Sequence, residues 1–231
     1  MEAIILAGGF GTRLSQVVQN LPKAMAPIRG RPFLELLLQR LESSGFERII
    51  LSVGYLHQLI QQHFGSRFGS MELEYVIEQS PLGTGGAVRL ALMHAVASQV
   101  FVLNGDTMVS LDYRAMYEGY STAKARLAIA VCEMDDTSRY GRVLVDGDIV
   151  SGFLEKQPCS GPGLINAGVY VLDRYLFNQQ ATGEVFSFER DYLTPMVASL
   201  RPYAFRTQRG FIDIGVPEDY VRAQSELAGI A

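Results

Sequence analysis

The chain has 231 residues, 48% of them hydrophobic and 19% charged, and a net charge of −4. That length supplies one substantial core or two small ones, in the proportions of an ordinary globular protein. A mildly acidic chain without a basic block excludes nucleic acid as a main partner, and no stretch approaches the roughly 20 apolar residues of a membrane helix.

Ala3 to Leu6 is an unbroken apolar run, which reads as a strand buried on both faces. It is too short for the core of a secretory signal, and nothing marks a targeting segment, so the expected compartment is the cytoplasm. The run delivers the chain into Leu6-Ala7-Gly8-Gly9-Phe10-Gly11-Thr12-Arg13-Leu14. Glycines let backbone N–H groups turn toward a ligand and make an anion-binding nest. Arg13 adds a planar fork of donors suited to phosphate. Two rival motifs fail here. No Lys-Ser/Thr follows to make a P-loop, and Leu14 stands where a dinucleotide fingerprint needs its third glycine. Taken alone, such a loop is more often a plain turn than a binding site.

Pro22 and Pro27 forbid an interior helix, so Leu21 to Ile28, carrying Lys23, reads as extended. Helix signals run from Pro32 to about Ser44, with Gly45 as the stop. Arg48–Val53 is a second buried strand, Leu56–Phe64 a short helix and Leu73–Ile77 a third strand. Pro81-Leu82-Gly83-Thr84-Gly85-Gly86 is a second glycine turn, opening a helix whose buried face is Ala87, Leu90, Ala91, Ala95 and Val96. Val100–Leu103 is a fourth strand and ends in Asn104-Gly105-Asp106. Strands alternating with helices predict right-handed crossovers and a mostly parallel sheet, with ligands beyond the carboxyl ends of its strands.

The second half has more strands and shorter connections: Leu127–Cys132, Arg142–Val145, Ile149–Leu154 and Ile165–Leu172, with an Asp146-Gly147 hairpin turn. Phe188–Leu200 reads as helical in part, interrupted at Pro195. Tyr203–Arg206 and Phe211–Ile214 are extended, and Pro217 opens a closing helix carrying Tyr220, Val221, Ala223 and Leu227. Cys132 and Cys159 fit no metal spacing and read as reduced thiols. His57, His63 and His94 fall in expected helices, in surface or packing roles. The whole is one domain, residues 1–231, with a nucleotide-binding half to about residue 110 and a second-substrate half after it.

Asp106 and Asp213 both end apolar strands. Singly, each is an ordinary cap or turn residue. Together with phosphate-type loops they suit Mg²⁺, which takes one or two carboxylates plus phosphate oxygens and waters. Lys23, Lys156 and Arg13 would neutralise phosphate charge, and phosphoryl chemistry needs no Ser/His/Asp triad.

These stretches resemble, in order, the sugar-1-phosphate nucleotidyltransferases. The matching motifs are the first glycine loop, Pro22-Lys23-x-Met25-x-Pro27-Ile28, the second glycine turn, Asn104-Gly105-Asp106, Arg139-Tyr140-Gly141, Phe153-x-Glu155-Lys156, Ile165-Asn166-x-Gly168-Val169-Tyr170 and Phe211-Ile212-Asp213-Ile214-Gly215. Phe186-Ser187-Phe188-Glu189 and Gly215-x-Pro217-Glu218-Asp219-Tyr220 resemble the D-glycero-D-manno-heptose 1-phosphate guanylyltransferase branch. Two departures are Ala24, where a second proline is usual, and Ser15-Gln16-Val17-Val18, where Pro-x-Thr is common. The left-handed β-helix of larger relatives is not expected here, because the sequence closes on one helix.

The resemblance implies a single-domain, Rossmann-like (GT-A-like) α/β fold with a mixed, mostly parallel central sheet flanked by helices. It implies nucleotide contacts from Leu6, Ala7, Gly8, Gly9, Gly11, Thr12, Arg13, Glu78, Pro81, Gly83, Thr84, Asn104 and Gly105. Arg13, Lys23 and Asp106 would be catalytic, and Asp106 and Asp213 would hold Mg²⁺. Gly141, Glu155, Lys156, Asn166 and Glu189 would hold the sugar phosphate. Glu78 bears on the base: a carboxylate offers only acceptors, which match the adjacent N1–H and N2–H of guanine. The implied substrates are GTP and a heptose 1-phosphate, for surface polysaccharide precursors. Mannose-1-phosphate guanylyltransferase, N-acetylmuramate-1-phosphate uridylyltransferase and a non-catalytic nucleotide-sugar-binding subunit are the alternatives. The missing third glycine and ribose acid argue against an NAD(P) dehydrogenase. Homo-oligomerisation is left open.

Overall fold

The unbroken apolar runs form the centre of the sheet. In the computed structural model, which describes residues 1–9, 20–156, 158, 161–180, 183–207 and 210–227, β1 (Glu2–Leu6) lies between β4 (Arg48–Val53) and β7 (Gln99–Asn104) and is parallel to both. Gly11, Thr12, Arg13 and Cys159 lie outside the described residues. Ala3, Ile4 and Ile5 are fully buried, as a strand covered on both faces requires.

Between β1 and β4 come the two-residue strands β2 (Pro27–Ile28) and β3 (Arg31–Pro32), then α1 (Phe33–Ser43). After β4 the chain runs through α2 (His57–Phe64), β5 (Arg67–Phe68), β6 (Met71–Ile77) and α3 (Gly83–Leu92) to β7. There follow β8 (Thr107–Met108), α4 (Tyr113–Thr122), β9 (Leu127–Met134), β10 (Arg142–Asp146), β11 (Ile149–Leu154), β12 (Gly163–Asp173) and α5 (Arg174–Gln180). A π-helical turn, Phe188–Leu193, runs into α6 (Thr194–Leu200), and β13 (Tyr203–Thr207), β14 (Ile212–Asp213) and α7 (Pro217–Glu226) close the described chain.

One sheet of 10 strands carries the order β10-β11-β13-β9-β12-β7-β1-β4-β6-β5. Strands β6, β4, β1 and β7 are parallel neighbours. The later strands join through β12, which runs antiparallel to both β7 and β9. Alternate residues of the central strands face opposite layers. Ile5, Ile49 and Leu51 pack with α1, α2 and α4 on one side, and Ile4, Ile50 and Val102 pack with α3, α5 and α6 on the other. Each buried Leu or Ile side chain stabilises the fold by roughly 1.5–3 kcal/mol.

Several local expectations need correction. The segment after Pro22 is not wholly extended: Lys23–Met25 makes a single 3-10 turn, which needs only Pro22 ahead of it in polyproline-like geometry. Helix α3 ends at Leu92, so Val96 lies beyond it and is 76% exposed, and His94 is not helical. Two helices carried no expectation. In α4, Tyr113, Met116 and Tyr120 make the buried stripe and the Asp112 side chain caps the N-terminus by accepting from Ala115 N at 3.0 Å. In α5, Phe177 is the buried anchor.

Candidate active site

The carboxyl ends of the four parallel strands meet in one place. Ala7 N donates to Ser52 O at 2.8 Å, Glu78 N to Val53 O at 2.8 Å and Gly105 N to Leu6 O at 3.0 Å, which laces the segments leaving β1, β4, β6 and β7. Above them lies a cavity of about 550 Å³. The chain leaves β1 toward β4 on one side and later returns to β7 on the other, so the cavity sits where the winding reverses, as open α/β sheets favour. Leu6, Ala7, Gly8, Gly9, Lys23, Glu78, Pro81, Gly83, Thr84, Asn104, Gly105 and Asp106 all line it.

Glu78 stands in the wall. Its Oε1 accepts from Ser52 Oγ at 3.1 Å and its Oε2 from Leu82 N at 3.4 Å. Burial pushes its carboxyl above the usual glutamate value, and those two donors pull it back. Gly8 is the residue that makes room: a Cβ there would lie 2.5 Å from Glu78 Oε1. The second glycine turn is tied to the later part of the chain. Gly83 has φ +69°, and a Cβ on it would lie 2.5 Å from Phe186 O. Gly85 N donates to Phe186 O at 2.9 Å and Phe188 N to Thr84 Oγ1 at 2.9 Å.

Lys23, Asp106 and Asp213 converge. The two-residue ladder of β8 against β14 sets Thr107 opposite Asp213, and Ile214 N donates to Asp106 O at 3.0 Å. Lys23 Nζ donates to Asp106 Oδ2 and lies 3.8 Å from Asp213 Oδ1. Burial pushes the Asp213 carboxyl up and the Asp106 charge adds to it, while Lys23 and the Gly215 N–H pull it down. Two carboxylates abreast, one already short of countercharge, are a donor set for a divalent cation that also binds phosphate. Among the described residues no group of three or more His, Cys, Asp and Glu side chains makes a complete protein cage.

The residues expected on the sugar side form two groups outside that cavity wall. Gly141, with φ +75°, packs against the end of β11: a Cβ on it would lie 2.6 Å from Leu154 O and 3.6 Å from Lys156 N. Glu155 and Lys156 follow directly and are exposed. In the other group, Asn166 Nδ2 donates to Tyr170 Oη at 2.8 Å and to Glu189 Oε1 at 3.1 Å, and Tyr170 Oη donates to Glu189 Oε1 at 2.8 Å. A register shift in β12 between Asn166 and Tyr170 makes this possible. Gly168, φ +70°, sits inside the shift with a would-be Cβ 2.5 Å from Asn104 Nδ2, so this group abuts the strand-end cavity.

Sequence reasoning missed Gly54 and Tyr55, which also line the cavity, and Tyr170 as the partner of Glu189. The first two follow a buried parallel strand, and the rule that placed Gly8 and Asp106 would have placed them. The fully buried Tyr170 hydroxyl needed a partner, but nothing in the sequence named which.

Residues 2–229 match the family described as Nucleotidyl transferase. The chain is 43% identical to a D-glycero-alpha-D-manno-heptose 1-phosphate guanylyltransferase of Aneurinibacillus thermoaerophilus, over 98% of each chain. It is 41% identical to the enzyme of that name from Campylobacter jejuni, over 95% of this chain and 97% of that one. The crystal structure of HddC from Yersinia pseudotuberculosis complexed with GMP-PN superposes with a TM-score of 0.85 at 39% identity, covering 98% of this chain and 99% of that one. Glycine turns at parallel strand ends, a lysine between two aspartates and a full-length match place this chain in the nucleotidyl transferase family.

Proposed function

We propose that this protein is a cytoplasmic guanylyltransferase that joins GTP and D-glycero-D-manno-heptose 1-phosphate into GDP-heptose, releasing pyrophosphate. The observation that carries the base assignment is Glu78, an acceptor-only carboxylate in the wall of the strand-end cavity. It matches the two adjacent donors on guanine, whereas uracil and thymine present a donor and an acceptor. The relatives named above carry the sugar assignment.

In the reaction an oxygen of the sugar 1-phosphate attacks the α-phosphorus of GTP in line. The new P–O bond forms as the bond to the β-phosphate bridging oxygen breaks, and the electron pair leaves on pyrophosphate. A phosphate monoester has a second pKa of about 6, so the nucleophile is already anionic near neutrality and no general base is required. The amides of Gly8 and Gly9 face the polyphosphate, joined in this reading by Gly11, Thr12 and Arg13. Lys23, held between Asp106 and Asp213, supplies positive charge near the reacting phosphorus. Mg²⁺ held by Asp106 and Asp213 would, when bound, neutralise phosphate charge and orient its oxygens. Lys156 takes the sugar phosphate, with Glu155, Asn166, Glu189 and the Gly141 backbone on sugar hydroxyls.

The test is pyrophosphate release over a matrix of nucleoside triphosphates and sugar 1-phosphates. GTP with the heptose 1-phosphate is expected to give the highest kcat/KM. Glu78→Gln should lower kcat/KM for GTP by about 10- to 100-fold, the effect of a mismatched charged hydrogen bond worth ~1.5–3 kcal/mol. Unchanged GTP use by that variant removes the base argument, and preference for mannose 1-phosphate removes the sugar assignment.

A further inference from the structure

We propose that Asp219 is a positioning residue for the sugar 1-phosphate, acting from the first turn of α7 on the loop Arg139–Gly141. The inference rests on the guanylyltransferase reading above. Asp219 is 3% exposed, the least of any charged residue among the described residues. Its Oδ2 accepts from Arg139 Nη2 at 2.6 Å and from Tyr140 Oη at 3.3 Å, and its Oδ1 lies 3.5 Å from Arg222 Nη1. The Arg139 guanidinium lies 5.3 Å from the centre of the Tyr140 ring. That ring meets Phe211 edge-on at 5.3 Å, next to the β14 strand that carries Asp213.

The loop so gripped has little freedom left. Tyr140 N and Gly141 N both donate to Thr137 O at 3.1 Å, which makes a tight turn. Gly141 then presses on the end of β11, where the backbone of Lys156 begins. Displacing Arg139 and Tyr140 therefore displaces Gly141 and the Glu155–Lys156 pair with it. A buried ion pair of this kind is often no more stabilising than an apolar replacement. The geometry it imposes on the loop accounts for its place better than stability does.

The nucleotide side is held by other residues of the same helix. Tyr220 Oη donates to Pro27 O at 2.6 Å, Gln224 Nε2 to Pro27 O at 2.9 Å, and Arg29 N to Gln224 Oε1 at 2.8 Å. These bonds tie α7 to the segment that carries Lys23, and Asp219 takes no part in them. The Asp219 charge also reaches Asp213, as the weakest of the influences on that carboxyl, so loss of the Asp219 carboxylate should be felt chiefly by the sugar 1-phosphate.

The experiment measures kcat and both KM values for the wild type, Asp219→Asn, Arg139→Met and the double variant. The wild type is first run across the substrate matrix, and its preferred pair is used for all variants. Each single variant is expected to raise KM for the sugar 1-phosphate by about tenfold and to leave KM for the triphosphate within about twofold, because only one side of the site is loosened. The double variant should be no worse than the worse single one, as for two residues acting through one contact. Equal changes in both KM values, a fall in Tm with unchanged kinetics, or multiplied effects in the double variant would overturn the proposal. If Asp219→Asn does not fold, Arg139→Met carries the test, since that side chain is 45% exposed. A wild type that prefers another pair overturns the substrate assignment alone, whereas one that turns over no pair overturns both.

Discussion

Asp213 sits between opposing demands. It faces the like charge of Asp106 in a half-buried setting, and its carboxyl is pushed above the ordinary aspartate value. Glu78 is pushed up too, by burial first. The sign follows from linkage. The folded protein binds these protons more tightly than the unfolded chain does. Their contribution to stability is therefore full below the ordinary carboxylate pKa and lost as pH rises through the raised folded value. Asp213→Asn removes the ionisation yet keeps an oxygen to accept the Gly215 N–H, a bond of 2.7 Å in the wild type. The variant is expected to have a higher Tm than the wild type at neutral pH, with the difference shrinking toward about pH 4, where the ordinary carboxylate is itself protonated. Pyrophosphate release should fall by about two orders of magnitude, the scale of losing one charge-stabilising group. A Tm difference that ignores pH, or full turnover, contradicts this account of the site. The residue types were legible in sequence, because Asp at a strand end and Lys between prolines are local facts. Their meeting was not. It depends on a ladder between residues 107–108 and 212–213, which no local pattern announces.

At the scale of elements, legibility followed burial. Strands β1, β4 and β7 are covered on both faces, so their apolar runs were visible as such. Helix α4 is hidden in the sequence because its stripe is Tyr113, Met116 and Tyr120, a lone methionine between two polar-tipped tyrosines, which makes no hydrophobic run. The sequence extends helix α3 too far because Ala95 and Val96 continue its apolar composition after its α-helical bonding has given way to the tighter turn bonds of Met93, His94 and Ala95. The turn that opens α3 is the element most exposed to substitution. Gly83→Ala would place a methyl group 2.5 Å from Phe186 O at a residue with φ +69°. The expected loss is about 1–3 kcal/mol, as for a side chain forced into a sparsely populated backbone region. It should appear in chemical denaturation and be accompanied by weaker triphosphate binding, because Thr84 and Glu78 flank the same turn. A variant of wild-type stability would show that the Phe186 segment yields without cost.

Over the whole molecule, one strand does the joining. β12 gives one edge to β7 and the other to β9, so strands from both sides of residue 110 belong to the same ten-stranded sheet. This topology places Gly168 under Asn104 and brings the Asn166–Tyr170–Glu189 group next to the strand-end cavity. The general architecture was legible, because alternating strands and helices imply a parallel sheet with its site at the strand ends. The antiparallel entry of β12 beside β7 was not, since β8, α4, β9, β10 and β11 all lie between the two strands in the chain. Non-local pairing of this sort slows folding, because the loop entropy is lost before any contact offsets it. A polypeptide comprising only residues 1–122 would leave the Val100–Leu103 backbone as an open, apolar rim. Such rims recruit other chains. That fragment is expected to run as a high-mass species on size-exclusion chromatography, and co-expression with residues 123–231 should return it to solution by capping the rim. A monodisperse, monomeric fragment would mean that β7 has found another cover.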